Sequence, residues 1–132
     1  MRYLGIDYGK KRIGLAVSDS GGRIAFPKSV MANRGDKHAA DDLKLLIEEE
    51  EVSEIVVGLP ISMDGRETEE TAHVRRFVVA LEKEIVLPIH LENEMLTTRM
   101  AKQEGIKQEH IDEAAAALIL QSYLDKRLAT RN

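Results

Sequence analysis

Asp7, Glu92, Glu94 and Asp112 are acids at the ends of apolar segments, the residue type and placement that chemistry with hard divalent cations requires. Asp7 closes the run Tyr3-Leu4-Gly5-Ile6, Glu92-Asn93-Glu94 follows Val86–Leu91, and Asp112 opens an alanine-rich stretch that runs on past Tyr123. Carboxylates that meet from separate elements can hold two oxygen-ligated Mg²⁺ or Mn²⁺ ions about 3.5–4 Å apart. Such a pair activates a water and stabilises the leaving oxygen of an in-line phosphoryl displacement. That chemistry needs no thiol, and the chain has no cysteine. Disulfides, Cys-ligated zinc and thiol nucleophiles are thereby excluded, and a reducing compartment suits the chain. Lys10-Lys11-Arg12, immediately after Asp7, is the clearest basic cluster and the candidate contact to a nucleic-acid backbone; Arg75-Arg76 is the next.

The overall balance runs the other way. Nineteen Lys and Arg against 23 Asp and Glu give a formal net charge of −4. A passive nucleic-acid binder is usually basic, because phosphate neutralisation dominates its affinity. A metal-dependent enzyme differs, since its acidic cluster is completed by the cations that fill it. The 43% hydrophobic content supplies a core for one domain over residues 1–132. No signal peptide is read at Met1–Asp7, and no apolar run approaches the roughly 20 residues of a membrane span. A soluble, cytoplasmic protein with no membrane association is expected.

The elements that must position these acids follow from periodicity. Residues 3–8 read as a strand that turns at Gly9-Lys10-Lys11 into a second strand, Arg12 to Ser18. Gly21-Gly22 marks another turn before a third extended segment near 23–31. Asp36 to Glu50 is helical, with Ala39, Leu43, Leu46 and Ile47 on one face. Glu54–Pro60 is almost wholly apolar, as in a parallel strand covered on both faces. A helix over 67–84 turns Val74, Phe77, Val78 and Leu81 inward. Val86–Leu91 reads as a strand that Pro88 marks as an edge. Thr97 or Thr98 caps a short helix to about Glu104, ended by Gly105, and residues 109–127 form the last helix. The order β-β-β-α-β-α-β-α-α predicts an α/β fold: a mixed five-stranded sheet, three strands antiparallel and then parallel strands, flanked by helices.

In such a sheet, ligands collect at the carboxyl ends of the parallel strands. Asp7, Gly58-Leu59-Pro60 and Glu92-Asn93-Glu94 all lie there. Asp112 heads an apolar helical stripe of Ala115, Ala116, Ile119 and Tyr123, and small Gly5, Gly14 and Ala16 on the first strands let that helix approach closely. The last helix is therefore expected over the first strands, with Asp112 brought towards Asp7. Each acid also has a local explanation: a helix-start acid favoured by the dipole for Asp112 and Glu94, and a strand-end turn residue for Asp7. His38, His73 and His90 lack the spacing to share a metal and read as solvent or interface residues.

Gly5-Ile6-Asp7-Tyr8-Gly9-Lys10-Lys11-Arg12-Ile13-Gly14-Leu15-Ala16-Val17-Ser18-Asp19 resembles the opening of the YqgF/RuvX family. Gly58-Leu59-Pro60 with Met63-Asp64-Gly65, then Leu96-Thr97-Thr98, then Asp112-Glu113-Ala114-Ala115-Ala116 through Leu120-Gln121-Ser122-Tyr123-Leu124 resemble its later motifs, in order and in spacing. The resemblance implies an RNase H-like fold and a nuclease whose three acids are Asp7, Glu94 and Asp112, both catalytic and metal-ligating. It implies two Mg²⁺ or Mn²⁺ ions, and structured RNA, pre-16S rRNA first, as substrate in ribosome biogenesis. Two stretches depart from the family pattern. Asn93-Glu94-Met95 keeps the glutamate and lacks the arginine that follows it, and Gln108-Glu109-His110-Ile111 replaces a basic, glycine-containing approach to Asp112.

Three other functions fit parts of the same pattern. A Holliday junction resolvase would cut branched DNA as a two-fold dimer; a monomer or weak homodimer is expected for this chain. A non-catalytic rRNA-binding or assembly module would use the scaffold alone. An actin- or kinase-type ATP-binding domain shares the Asp-x-Gly hairpin, but closes two domains around its nucleotide and so needs a longer chain.

Overall fold

The computed structural model describes residues 1–94 and 111–130. The expected short helix at 97–104 with Gly105, the Leu96-Thr97-Thr98 motif, Met95 and Gln108-Glu109-His110 lie outside them.

The strands are β1 (Arg2–Tyr8), β2 (Arg12–Ser18), β3 (Ala25–Ala32), β4 (Val52–Pro60) and β5 (Ile89–Glu94). The helices among the described residues are α1 (Asp36–Glu49), α2 (Glu69–Glu84) and α3 (Ile111–Ala129). The sheet order is β3-β2-β1-β4-β5. β1, β2 and β3 pair antiparallel, while β4 lies parallel to both β1 and β5. This is the mixed five-stranded arrangement that the periodicity predicts.

The sheet divides the core in two. Alternation sends Leu4, Ile6, Ile13, Leu15, Ile55, Val57 and Leu59 to one face, under α1 and α2. Val74, Phe77, Val78 and Leu81 of α2 and Leu43 of α1 close that layer, all buried as their spacing requires. Tyr3, Ala16 and Val56 point to the opposite face, where Ala116, Ile119, Leu120 and Leu124 of α3 cover them. β4 is buried on both faces, which accounts for its unbroken apolar run.

The fifth strand corrects its expected bounds. It starts at Ile89, not Val86, and runs on through Glu94. Proline has no N–H for a ladder; Pro88 instead sits just before the strand and offers its carbonyl to the Ile55 N–H at 2.9 Å. Val86 is fully exposed. The strand is an edge, as Pro88 suggested.

Small residues set the seat of α3. A Cβ on Gly5 would stand 2.7 Å from Leu120 Cβ and 3.0 Å from the Ala116 carbonyl oxygen. One on Gly14 would lie 2.0 Å from the Asp112 carbonyl oxygen. The 2.7 Å and 2.0 Å separations are shorter than real Cβ contacts, so α3 lies directly on the backbone of β1 and β2 only because glycine occupies these positions.

Candidate active site

The carboxyl ends of β1, β4 and β5 open on one edge of the sheet, and a cleft of about 650 Å³ lies there. Asp7, Glu94 and Asp112 all line it. Asp7 pairs with Gly14 across β1 and β2, and the backbone of Asp112 rests on Gly14, so the first strand and the start of α3 bring these two acids to one place. Glu94 ends β5 opposite Pro60, and its carbonyl accepts the Ile61 N–H at 3.0 Å, which anchors the strand end. A Cβ on Gly58 would stand 3.1 Å from Glu94 Oε2, so the absence of a side chain there leaves room for that carboxylate.

Glu92, the other acid at this strand end, has a different fate. It is buried beneath α3, accepting hydrogen bonds from Ser122 Oγ at 2.8 Å and Lys126 Nζ at 2.6 Å, and it does not line the cleft. Glu92 and Glu94 share a face, but only Glu94 lies at the open edge.

The basic hairpin turn forms one wall. Asn33 holds it: its Nδ2 donates to the Gly9 carbonyl at 2.7 Å, its backbone N–H donates to the Lys11 carbonyl at 2.9 Å, and its Oδ1 accepts the Gly35 N–H at 3.0 Å. Tyr8 braces the turn from the other side, its ring tilted against Phe77 with centroids 4.4 Å apart and its hydroxyl donating to Asp36 Oδ1 at 3.1 Å. Burial holds its phenol above the usual tyrosine range. Lys10 lines the cleft and Lys11 is exposed on the same turn. Arg12, expected with them on nucleic acid, is ion-paired in this structure: its Nε donates to Asp112 Oδ2 at 2.7 Å.

The opposite wall starts at Pro60, expected at this edge, and continues through residues to which the sequence reading gave no catalytic or binding role. Pro60, Ile61, Ser62, Thr68, Glu69, Glu70, His73 and Val74 lead from β4 into α2 and line the cleft. Thr71 ties the start of α2 to the end of β4, accepting the Thr68 N–H at 2.8 Å and donating to the Pro60 carbonyl. The signal was available, because a βα connection at the carboxyl end of a parallel strand belongs to the same edge. His73, read as a solvent or interface residue, sits in this wall, with its Nδ1 accepting from Arg76. His90 is half-buried under α3, stacked on Tyr123 with centroids 5.0 Å apart and bonded to Glu54 at 2.6 Å.

The three acids at this edge offer only oxygen ligands, which suits a hard cation such as Mg²⁺ or Mn²⁺. The glycines at 14 and 58 leave space around Asp112 and Glu94. Among the described residues, no three His, Asp or Glu side chains already stand at metal-holding distances. A cation bound by Asp112 would meet the ion pair that Arg12 makes with it.

The sequence profile of the family described as RuvX, Holliday junction resolvase, matches residues 1–126. A protein of Maridesulfovibrio salexigens named "Putative pre-16S rRNA nuclease" is 40% identical over 132 residues, covering 94% of this chain and 98% of the relative. A protein of the same name from Nitratidesulfovibrio vulgaris is 40% identical over 134 residues, covering 95% and 94%. Among solved structures, Thermus thermophilus RuvC in complex with a Holliday junction substrate superposes with a TM-score of 0.62 at 16% identity, over 98% of each chain. The fowlpox virus resolvase with Holliday junction DNA gives 0.57 at 12% identity, over 97% and 99%. These structures share the fold. No helix among the described residues is long and apolar enough to cross a membrane.

Proposed function

The chain belongs to the RuvX family, and from that membership we propose that it is a divalent-metal-dependent nuclease, hydrolysing phosphodiester bonds to process the 5′ end of pre-16S rRNA. One observation carries the reading: Asp7, Glu94 and Asp112 come from three separate elements and line a single cleft at the carboxyl edge of the sheet. The names of the relatives at about 40% identity favour precursor rRNA as the substrate.

In this reading Asp7, Glu94 and Asp112 hold the cations. Mg²⁺ or Mn²⁺, as two ions, would supply an activated water and charge stabilisation at the leaving oxygen. The rest is the work of the chain itself. Lys10 and Lys11 sit beside Asp7 on a turn whose backbone Asn33 fixes, and they offer ammonium groups to the phosphates flanking the scissile bond. Arg12 follows on the same turn, with its Nε on Asp112. The βα wall from Ser62 to His73 bounds the strand path on the far side and limits what can enter.

The test is cleavage of a precursor 16S rRNA fragment in Mg²⁺ or Mn²⁺, by the wild type and by Asp7→Asn. Activity should vanish in EDTA and in Asp7→Asn, while circular dichroism and melting of the variant stay close to wild type. Equal cleavage by Asp7→Asn refutes the catalytic assignment. A preference for four-way DNA junctions over the rRNA fragment, from a dimeric species, transfers the same chemistry to the branched-DNA reading that the family description favours. Tight RNA binding without cleavage leaves the assembly-module reading.

A further inference from the structure

We propose that Arg12 is the exchangeable counter-charge of the metal-free site: it neutralises Asp112 until a divalent cation arrives, and so sets how tightly that cation binds. The inference rests on Asp7, Glu94 and Asp112 being the metal ligands. Carboxylates gathered on one cleft repel each other when no cation lies between them. The Arg12 guanidinium meets this charge directly, with Nε at 2.7 Å from Asp112 Oδ2.

The surroundings of the pair make exchange a side-chain event. The backbone of Arg12 pairs with Ala32 in the sheet, and it follows a turn pinned by Asn33, where a Cβ on Gly9 would already stand 2.5 Å from the Arg12 carbonyl oxygen. The backbone of Asp112 is seated on Gly14. Both main chains are thus packed against their neighbours, while the Arg12 side chain is 57% exposed, against 17% for Asp112. A guanidinium this exposed can leave for water with little loss, because exposed ion pairs are weak. The aspartate stays where the helix puts it.

The alternative role for such an arginine is a permanent one, orienting Asp112 while the metal is bound. The two roles predict opposite signs. Under exchange, Arg12→Gln removes a positive charge that competes with the cation, and Mn²⁺ binding tightens. Under permanent orientation, the same substitution weakens it.

The experiment is Mn²⁺ titration of the full chain followed by electron paramagnetic resonance, with melting curves in EDTA and in saturating Mn²⁺. Arg12→Gln should bind Mn²⁺ about three- to tenfold tighter than wild type at moderate salt, the range expected for one charge a few ångströms from a divalent ion in a largely hydrated site. Arg12→Lys, which keeps the charge, should bind like wild type. The melting temperature of Arg12→Gln should fall below wild type in EDTA and rejoin it in saturating Mn²⁺. Unchanged or weaker Mn²⁺ binding by Arg12→Gln overturns the proposal while the metal site stands. Tightening by Arg12→Lys equal to that of Arg12→Gln also overturns it, since charge would not be the cause. Absence of Mn²⁺ binding by the wild type overturns both this inference and the metal-site reading beneath it.

Discussion

Gly14→Ala tests the geometry on which the site depends. A Cβ at this position would lie 2.0 Å from the carbonyl oxygen of Asp112, 2.3 Å from its carbonyl carbon and 3.1 Å from its Cα. These are backbone atoms, so no rotamer change can relieve the clash; α3 or β2 must move by roughly an ångström or more to restore a normal contact. Overpacking of this kind costs about 1–3 kcal/mol, and the upper half of that range is expected here because helix and strand are both rigid. For a domain of this size each kcal/mol corresponds to about 4 °C in Tm, so a fall of about 8–12 °C should appear by calorimetry. Cleavage of the rRNA fragment should fall further than the stability loss explains, because the displaced atoms belong to Asp112, and a misplacement of about 1 Å can cost about a hundredfold. Gly21→Ala is the control: its Cβ would meet only Asp19 Oδ2 at an ordinary 3.4 Å, so Tm and activity should hold. A Gly14→Ala protein that melts and cuts like wild type would refute the close seating of α3 on β2.

The two acids of β5 should separate cleanly: Glu94→Gln abolishes cleavage with little change in Tm, whereas Glu92→Gln cuts normally and Glu92→Ala loses about 1.5–3 kcal/mol in urea denaturation by orphaning Ser122 and Lys126. Loss of activity in a folded Glu92→Gln would refute that division. Asn33→Ala, which releases the Gly9 carbonyl, should cost about 1 kcal/mol and raise KM for the rRNA fragment more than it lowers kcat; a pure kcat effect would mean that the turn does not bind substrate. Glu50 is held below the ordinary glutamate range by its hydrogen bond to Lys28, with Arg2 adding to the field. A depressed folded-state pKa gives stability that is complete above the ordinary glutamate value and is lost as pH falls through the lower, folded one. Glu50→Gln should therefore be less stable than wild type at pH 7, by under about 1 kcal/mol for a surface pair. A difference that persists at full size in strong acid would show that the carboxylate charge is not its source.

Much of this molecule was legible before any coordinates. The period-2 alternation of β1 and β2, the two-sided apolar run of β4 and the four inner residues of α2 are local patterns, set by where Cβ points in each regular structure. They yield the element order, the mixed sheet and the edge to which its acids belong. The small residues at 5, 14 and 16 even foretold where α3 would lie. The strand β5 starts three residues later than its apolar run suggests, because Pro88 has no N–H for a ladder and only its carbonyl meets β4. What alternation leaves undecided is the fate of residues that share a face. Glu92 and Glu94 have the same parity, and the position of α3 alone buries the first under Ser122 and Lys126 while leaving the second at the open edge. Likewise, Lys10, Lys11 and Arg12 read as one basic cluster, yet α3 brings a carboxylate 100 residues away onto the arginine. Which charges meet is a property of how distant elements pack, and no local period encodes that.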